Sequence, residues 1–317
     1  MLELGELPRP EPGPGEVRVR LRSSGVNPSD VKTRQARPLD GPLVVPHSDG
    51  AGLIDSVGAG AGAGVSARRI GERVWLWNAQ WRRTLGTAAE YVALPEAQAV
   101  PLPDTVDDAA GACLGIPAMT AFHAVERLGE LAGQTVLVIG ASSSVGHYAA
   151  KLAAQAGARV IGTVGSAAKA VHAERAGVAA TIDYKREAVG ARLLELTAGR
   201  GVDAIIDTDF ASTVHLLSEG VLRPHGQLVS YGSNSYAEIP IPYRQLLFGS
   251  IGLQLFLVYE LSPAAREAAV AGLGRLLVQG RLQHTIGGRW PLAGIAAAHE
   301  AVEQGALIGN AILEIAP

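Results

Sequence analysis

Hydrophobic and polar positions divide this chain into stretches of different period. From Thr135 onward, short uninterrupted aliphatic runs recur: Thr135-Val-Leu-Val-Ile139, Ala158–Val164, Ala179–Tyr184, Val202–Asp207, Gln227–Tyr231 and Ser250–Phe256. A run that is apolar on both sides predicts a strand covered on both faces. Helical segments separate most of these runs, Glu187–Ala198 and Ser212–Leu222 among them. Strands alternating with helices predict an α/β domain with a doubly wound parallel sheet. The first hundred residues read differently. Glu16-Val-Arg-Val-Arg-Leu-Arg22 alternates strictly, as a half-buried antiparallel strand does. Val44–Val57 and Arg73–Trp77 read as further strands punctuated by glycine, so this part is β-rich.

Pro101-Leu-Pro-Asp104 closes the β-rich part, and a helical pattern begins near Asp107. Further on, Ser262-Pro263 has the form of an N-cap followed by proline at the first helical position. It opens a helix to Gln279, followed by a strand at Thr285 and a last strand over Ala311–Ile315. These closing elements are expected to return to the first domain. The expected organisation is a catalytic domain over residues 1–112, a nucleotide domain over 113–260 and a return segment over 261–317.

The strand ending at Ile139 runs into Gly140-Ala-Ser-Ser-Ser-Val-Gly146 and then into small residues at helical spacing. Strand, small-residue turn and helix N-terminus form the device that holds a dinucleotide pyrophosphate. The match to G-x-G-x-x-G is imperfect, with Ser143 at the close-approach position and Gly146 at the helix start. An ordinary strand-to-helix turn is the plainer reading; the repeated strand–helix context favours the dinucleotide. At the end of the second strand an NAD site places an acid that accepts from the ribose 2′-hydroxyl. Thr163-Val-Gly-Ser166 stands there, with Lys169 after it, which favours NADP over NAD. Gly58-Ala-Gly-Ala-Gly-Ala-Gly64 resembles a second phosphate loop, but no apolar helix follows it, so it reads as a surface turn.

Composition narrows the function classes. The 317 residues carry a net charge of −3, which argues against a nucleic-acid or polybasic membrane role. A single cysteine, Cys113, excludes an intramolecular disulfide and any multi-cysteine zinc site. No basic-then-apolar leader opens the chain, and the longest apolar run, near Ile251–Val258, is far short of the ~20 residues of a membrane span. A cytoplasmic protein is expected.

Six ordered motifs then identify a family resemblance: Gly25-Val-Asn-Pro-Ser-Asp30, Pro46-His-Ser-Asp-Gly-Ala-Gly52, Gly71-Glu-Arg-Val74, Gly86-Thr-Ala-Ala-Glu-Tyr91, Ile116-Pro-Ala-Met-Thr-Ala121 and Ile182-Asp-Tyr184 with the serine-rich loop. Together they resemble the zinc-free quinone oxidoreductase branch of the medium-chain dehydrogenase/reductase superfamily. The resemblance implies a GroES-like β-barrel catalytic domain and a Rossmann domain, with NADPH between them. It places Asn27 and Thr120 near the nicotinamide and Ser143, Ser144, Val145 and Gly146 on the pyrophosphate. It places Ser166, Lys169 and Tyr184 on the 2′-phosphate. It further implies a homodimer paired through the edge strand Ser250–Phe256, no metal, and hydride transfer to a quinone or α,β-unsaturated carbonyl. The alternative function is a cofactor-binding protein with little turnover, crystallin-like or nucleic-acid-binding. The chain begins a strand later than family members do. Lys32 stands where many relatives carry tyrosine, and His47 replaces a common glycine.

The bland readings stand beside these. Asn27 could cap its own turn beside Pro28, and Asp30 reads first as the start of a helical turn and second as a catalytic residue. Trp75, Trp77 and Trp81 read first as packing of the β-rich part and second as an aromatic wall for a flat substrate. Arg82 and Arg83 read as surface charges. The eight histidines show no metal-ligand spacing, and Pro46-His-Ser-Asp49 lacks the His-Glu pair of a zinc enzyme.

Overall fold

The structure is a computed structural model that describes residues 2–36, 39, 41, 43–59 and 65–315. Most of the glycine–alanine repeat, residues 60–64, lies outside them. The chain divides into two compact units, one of residues 1–117 with 273–317 and the other of residues 118–272.

In chain order the first unit begins with β1 (Glu16–Val26), α1 (Pro28–Ala36), β2 (Asp49–Val57), β3 (Arg73–Leu76), β4 (Tyr91–Pro95), β5 (Ala99–Pro101) and α2 (Asp108–Gly111). A π-helical turn over Leu114–Ala118 follows. The second unit holds α3 (Met119–Arg127), β6 (Thr135–Val138), α4 (Ser144–Gln155), β7 (Arg159–Val164), α5 (Ala167–Arg175), β8 (Val178–Asp183) and α6 (Val189–Leu196). It continues with β9 (Val202–Asp207), α7 (Phe210–Thr213), β10 (Leu222–Ser230), α8 (Tyr243–Gly249) and β11 (Gly252–Leu255). Helix α9 (Pro263–Val278) leads back to the first unit and its β12 (Ile286–Pro291), α10 (Ile295–Glu303) and β13 (Asn310–Glu314).

In the first unit a seven-stranded sheet runs in the order β12-β13-β1-β2-β3-β5, with β4 also on β1. Strand β1 is shared: β2 pairs along its whole length, while β4 takes Glu16–Arg20 and β13 takes Ser23–Val26 on its other edge. The alternation in β1 buries Val17, Val19 and Leu21 against Ile54, Val74, Leu76, Val92 and Leu94. Arg18, on the opposite face, is buried as well. Its Nε donates to Asp55 Oδ1 at 2.9 Å and its Nη1 to Glu11 Oε1 at 2.9 Å, so the charge is paired. Strand β2 begins at Asp49, later than the Val44–Val57 run predicts. His47 takes φ +75°, which breaks the extended backbone, and Val45 makes only an isolated bridge to Leu85. Trp75 is fully buried, and Trp77 and Trp81 are half-buried. Arg83 is not a free surface charge: its guanidinium donates to the Ala93 carbonyl and to Gln98.

The second unit is a six-stranded parallel sheet in the order β11-β10-β9-β6-β7-β8. Counted from β6, this is the doubly wound order that reverses direction between its first and fourth strands. Leu137, Ile161, Ile182, Ile205 and Leu228 fill its core, which accounts for their unbroken aliphatic runs. The predicted helix over Ser212–Leu222 is not continuous. It breaks into α7 and a 3₁₀ turn over Val214–Ser218, and Leu222 already pairs with Val202 in the sheet. Leu216, Leu217 and Val221 are buried against the core, so their apolar spacing serves a turn and a strand instead. The predicted edge strand over Ser250–Phe256 shortens to β11, because Ser250 caps α8 in the left-handed region at φ +50°.

Candidate functional site

In the second unit the loop between β6 and α4 sits at the carboxyl end of the sheet beside the reversal of strand order, where ligands of open α/β sheets bind. Gly140 has φ +67°, and its N–H donates to Thr163 Oγ1 at 2.8 Å. Ser143 is the N-cap of α4: its Oγ accepts from Gly146 N–H at 3.0 Å. The hydroxyl proton of Ser143 remains available for donation. Ser144 and Val145 lie in the first helical turn, where backbone N–H groups have no intrahelical acceptor. A side chain at Gly146 would lie 2.1 Å from the Gly140 carbonyl oxygen, so only glycine lets the turn close this tightly. Ala141, fully buried, packs against Gly162 of β7.

At the ends of β7 and β8, Ser166 caps α5, its Oγ accepting from Lys169 N–H at 3.3 Å. Tyr184 is half exposed, and its hydroxyl lies over Gly165. The fold therefore gathers Ser166, Lys169 and Tyr184 at one end of two neighbouring strands, with Ser166 as the N-cap and Lys169 in the first turn of α5. This donor set, a lysine, two hydroxyls and a helix N-terminus, suits a phosphate; β7 ends without an acid, while Asp183 ends β8 and accepts from Lys185 N–H at 3.0 Å. Thr120 is buried within α3. Farther along the same sheet edge, Asp207 accepts from Thr213 Oγ1 at 2.6 Å and Ser230 Oγ at 2.7 Å. Burial holds its pKa above the ordinary carboxylate range, against the lowering effect of those donors.

The first unit carries a buried polar cluster around Asn27. Asn27 stands between β1 and α1, and its backbone N–H donates to Asp30 Oδ2 at 2.7 Å. Its side chain does more than cap a turn: Nδ2 donates to Asp49 Oδ2 at 2.8 Å. Asp49 is fully buried, accepts again from Ile116 N–H at 3.0 Å, and its Oδ1 meets no partner. Burial raises the Asp30 pKa to about 7, against the N–H groups of Asn27 that lower it. Burial, and then the charge of Asp30, hold Asp49 well above the usual carboxylate range.

A second polar chain leads away from the same strand. Thr87 Oγ1 donates to the Asp49 carbonyl at 2.6 Å, so it accepts from Ser24 Oγ at 2.8 Å. Ser24 in turn accepts from His47 Nδ1–H at 3.0 Å, which leaves His47 Nε2 to accept from His299 Nε2–H at 2.8 Å. Both rings are fully buried. Burial, and then His299, lower the His47 pKa far below its ordinary value. Burial, and then the charge of Arg34, bring His299 to about 4, against Glu303. Among the described residues, no group of three or more His, Cys, Asp or Glu side chains is gathered as a metal site requires.

With this geometry in view, the comparisons with known proteins decide the family. The GroES-like domain of alcohol dehydrogenases matches residues 13–104, and the zinc-binding dehydrogenase domain matches residues 144–273. A quinone oxidoreductase of Pseudomonas aeruginosa is 32% identical over 99% of this chain and 95% of its own. The chain belongs to the medium-chain dehydrogenase/reductases, as a quinone oxidoreductase-type member. Human quinone oxidoreductase is 29% identical over 90% of this chain and 85% of its own. Escherichia coli quinone oxidoreductase complexed with NADPH superposes with a TM-score of 0.85 at 25% identity, covering 98% of this chain and 94% of that one. A mycobacterial quinone oxidoreductase gives 0.83 at 28% identity, with 98% and 94% covered.

The sequence singled out Asn27 but passed over the residues that hold it. Asp49 was visible only as a departure from a zinc motif, and Asp30 as a helix starter or a catalytic residue, neither as a partner of Asn27. His299 lies 252 residues from its partner His47, and no local pattern announces it.

The neutral histidine pair links stability to acid. Unfolded histidine titrates near 6.5, so between there and about pH 4 the unfolded chain binds more protons. The contribution to stability is present above pH 6.5 and lost as the pH falls towards 4. In His299→Gln the amide keeps a donor for His47, and the acid-side loss between pH 7 and pH 5 should shrink by about 1–2 kcal/mol. Asp30 works in the opposite sense, losing its contribution as the pH rises through about 7, and it cancels in the comparison. Denaturant unfolding at both pH values checks this; equal losses in the two proteins would exclude it.

Proposed function

We propose that this quinone oxidoreductase-type protein is an NADPH-dependent, metal-independent reductase of quinones or α,β-unsaturated carbonyls. The observation that carries the reading is the gathering of Ser166, Lys169 and Tyr184, with no acid at the end of β7, beside the Ser143–Gly146 turn. In this reading Ser143, Ser144, Val145 and Gly146 hold the pyrophosphate through N–H groups and a hydroxyl. Ser166, Lys169 and Tyr184 hold the 2′-phosphate. When bound, the cofactor supplies the hydride, and the acceptor takes its proton from solvent. Asn27 and Thr120 orient the reacting end. The complexes of related proteins with NADPH support the same cofactor here. A GroES-like barrel for the first unit accords with its family match.

The testing experiment follows NADPH oxidation against a panel of quinones and enones in the presence of a strong chelator. Turnover with at least one acceptor is expected, and Asn27→Ala should depress kcat by up to ~10²-fold while NADPH affinity holds. A protein that binds NADPH but turns over none of the panel would instead be a cofactor-binding protein, and loss of activity restored by zinc would end the metal-free reading. Lys169→Ala should weaken NADPH by about 1–2 kcal/mol and leave NADH unchanged. Equal affinity of the native protein for the two cofactors would refute that assignment.

The outer strand β11 pairs only with β10, and Leu255 on it is exposed, as are Tyr243, Leu247 and Phe248 of α8. An open strand edge beside exposed apolar side chains supports a homodimer paired through this edge. Light scattering should give twice the chain mass, and Leu255→Lys should reduce it to one; a native protein that is monomeric at micromolar concentration would overturn the pairing.

A further inference from the structure

We propose that Asp49 is the positioning residue of the Asn27 amide, its buried carboxyl tying down the amino end of the carboxamide. The amide oxygen is thereby left as the acceptor for a hydrogen-bond donor of the bound reactants, a carboxamide N–H or a hydroxyl. This rests on the reading of Asn27 as a residue that touches the reactants.

Three parts of the first unit meet at the carboxyl. Asp49 is the first residue of β2, Asn27 follows β1, and Ile116 lies in the π-helical turn. One carboxyl oxygen, Oδ2, accepts from both Asn27 Nδ2–H and Ile116 N–H. Asp30 takes the Asn27 backbone N–H and also faces its side chain. The amino end of Asn27 is therefore turned to carboxyl groups. Rotating the amide by half a turn would bring its oxygen against the Asp49 oxygen and forfeit the bond. The approach is close because two glycines permit it. A side chain at Gly115 would lie 2.3 Å from Asp49 Oδ1, and one at Gly25 would lie 2.3 Å from the Ala112 carbonyl. Asp49 is fully buried in the space these glycines leave. Burial favours the neutral acid, with the proton on Oδ1 and Oδ2 behaving as a carbonyl towards both donors.

The test uses the full chain and three readouts: kcat for NADPH oxidation with 1,4-benzoquinone, the NADPH dissociation constant, and the Asn27 side-chain amide signals in ¹⁵N-edited NMR. The signals are identified by their loss in Asn27→Ala. Asp49→Leu should lower kcat about 10–100-fold, hold NADPH affinity within about threefold, and shift the Asn27 signals. Asp49→Asn offers one carbonyl to both N–H groups and should restore kcat to within about threefold of the native protein, together with the signals. Unshifted signals and full kcat in a folded Asp49→Leu protein would overturn the proposal, as would an Asp49→Asn protein as impaired as Asp49→Leu. If Asp49→Leu does not fold, the native protein decides. Nδ2–H of Asn27 and N–H of Ile116 converge on one oxygen and must show a mutual nuclear Overhauser effect, without which the proposal fails. Full kcat in Asn27→Ala would sink the reading of Asn27 as a contact of the reactants, while the amide signals would still judge Asp49.

Discussion

The first unit depends on the register of β1 against β2, in which Gly25 stands opposite Asp49. That single pairing sets Asn27, two residues beyond Gly25, within reach of the Asp49 carboxyl. A slip of one residue would turn Asp49 to the other face of the sheet and separate the two. The register is held from both sides by buried aliphatic side chains, Val17, Val19 and Leu21 on β1 and Ile54 on β2. Irregularities at Arg18/Val19 and Leu21/Ser23 adjust the pairing so that the polar end of the strand reaches its partners.

Burying so many polar groups in one place is costly unless each finds a partner. The chain from Thr87 through Ser24 and His47 to His299 Nε2 meets that demand with a fixed proton order and fixes the tautomer of His47, while His299 Nδ1 is left without a hydrogen-bond partner. Return of the chain after α9 is what makes this possible, because His299 belongs to α10. The carboxyls of Asp30 and Asp49 solve the same problem differently, through raised pKa values and N–H donors. Perturbed pKa values cluster at functional sites, and structural networks perturb them as well. Here the two kinds lie on either side of the start of β2, and the carboxyls of Asp30 and Asp49 are the ones that accept from Asn27.

In the second unit the limiting requirement is backbone approach. Gly146 lets the turn after β6 close where a Cβ would lie 2.1 Å from the Gly140 carbonyl oxygen, Gly140 itself takes φ +67°, and Ser143 uses its oxygen to cap the helix that follows. The turns that open α4 and α5 are built alike, each from a serine N-cap at the carboxyl end of a parallel strand.

By itself the sequence determined the second unit's strand–helix alternation, its dinucleotide turn and the cluster of Ser166, Lys169 and Tyr184. The first two rest on short-range patterns, aliphatic runs and small residues at fixed spacing; Ser166 and Lys169 stood where an NAD site carries an acid, and Tyr184 came with the family resemblance. It also marked Asn27 as a residue of interest. The partners of Asn27 and the histidine pair were decided by tertiary structure alone, since β1, β2, the turn at Ile116 and α10 are brought together only by strand pairing and by the returning chain. The same cause explains the errors of extent. Ser212–Leu222 has helical spacing, yet pairing of Leu222 with Val202 claims its end for the sheet; Val44–Val57 has strand composition, yet the left-handed His47 shortens it. Local pattern records which faces are apolar, whereas a buried hydrogen bond needs donor and acceptor from distant segments at one point. Only the folded chain supplies that coincidence.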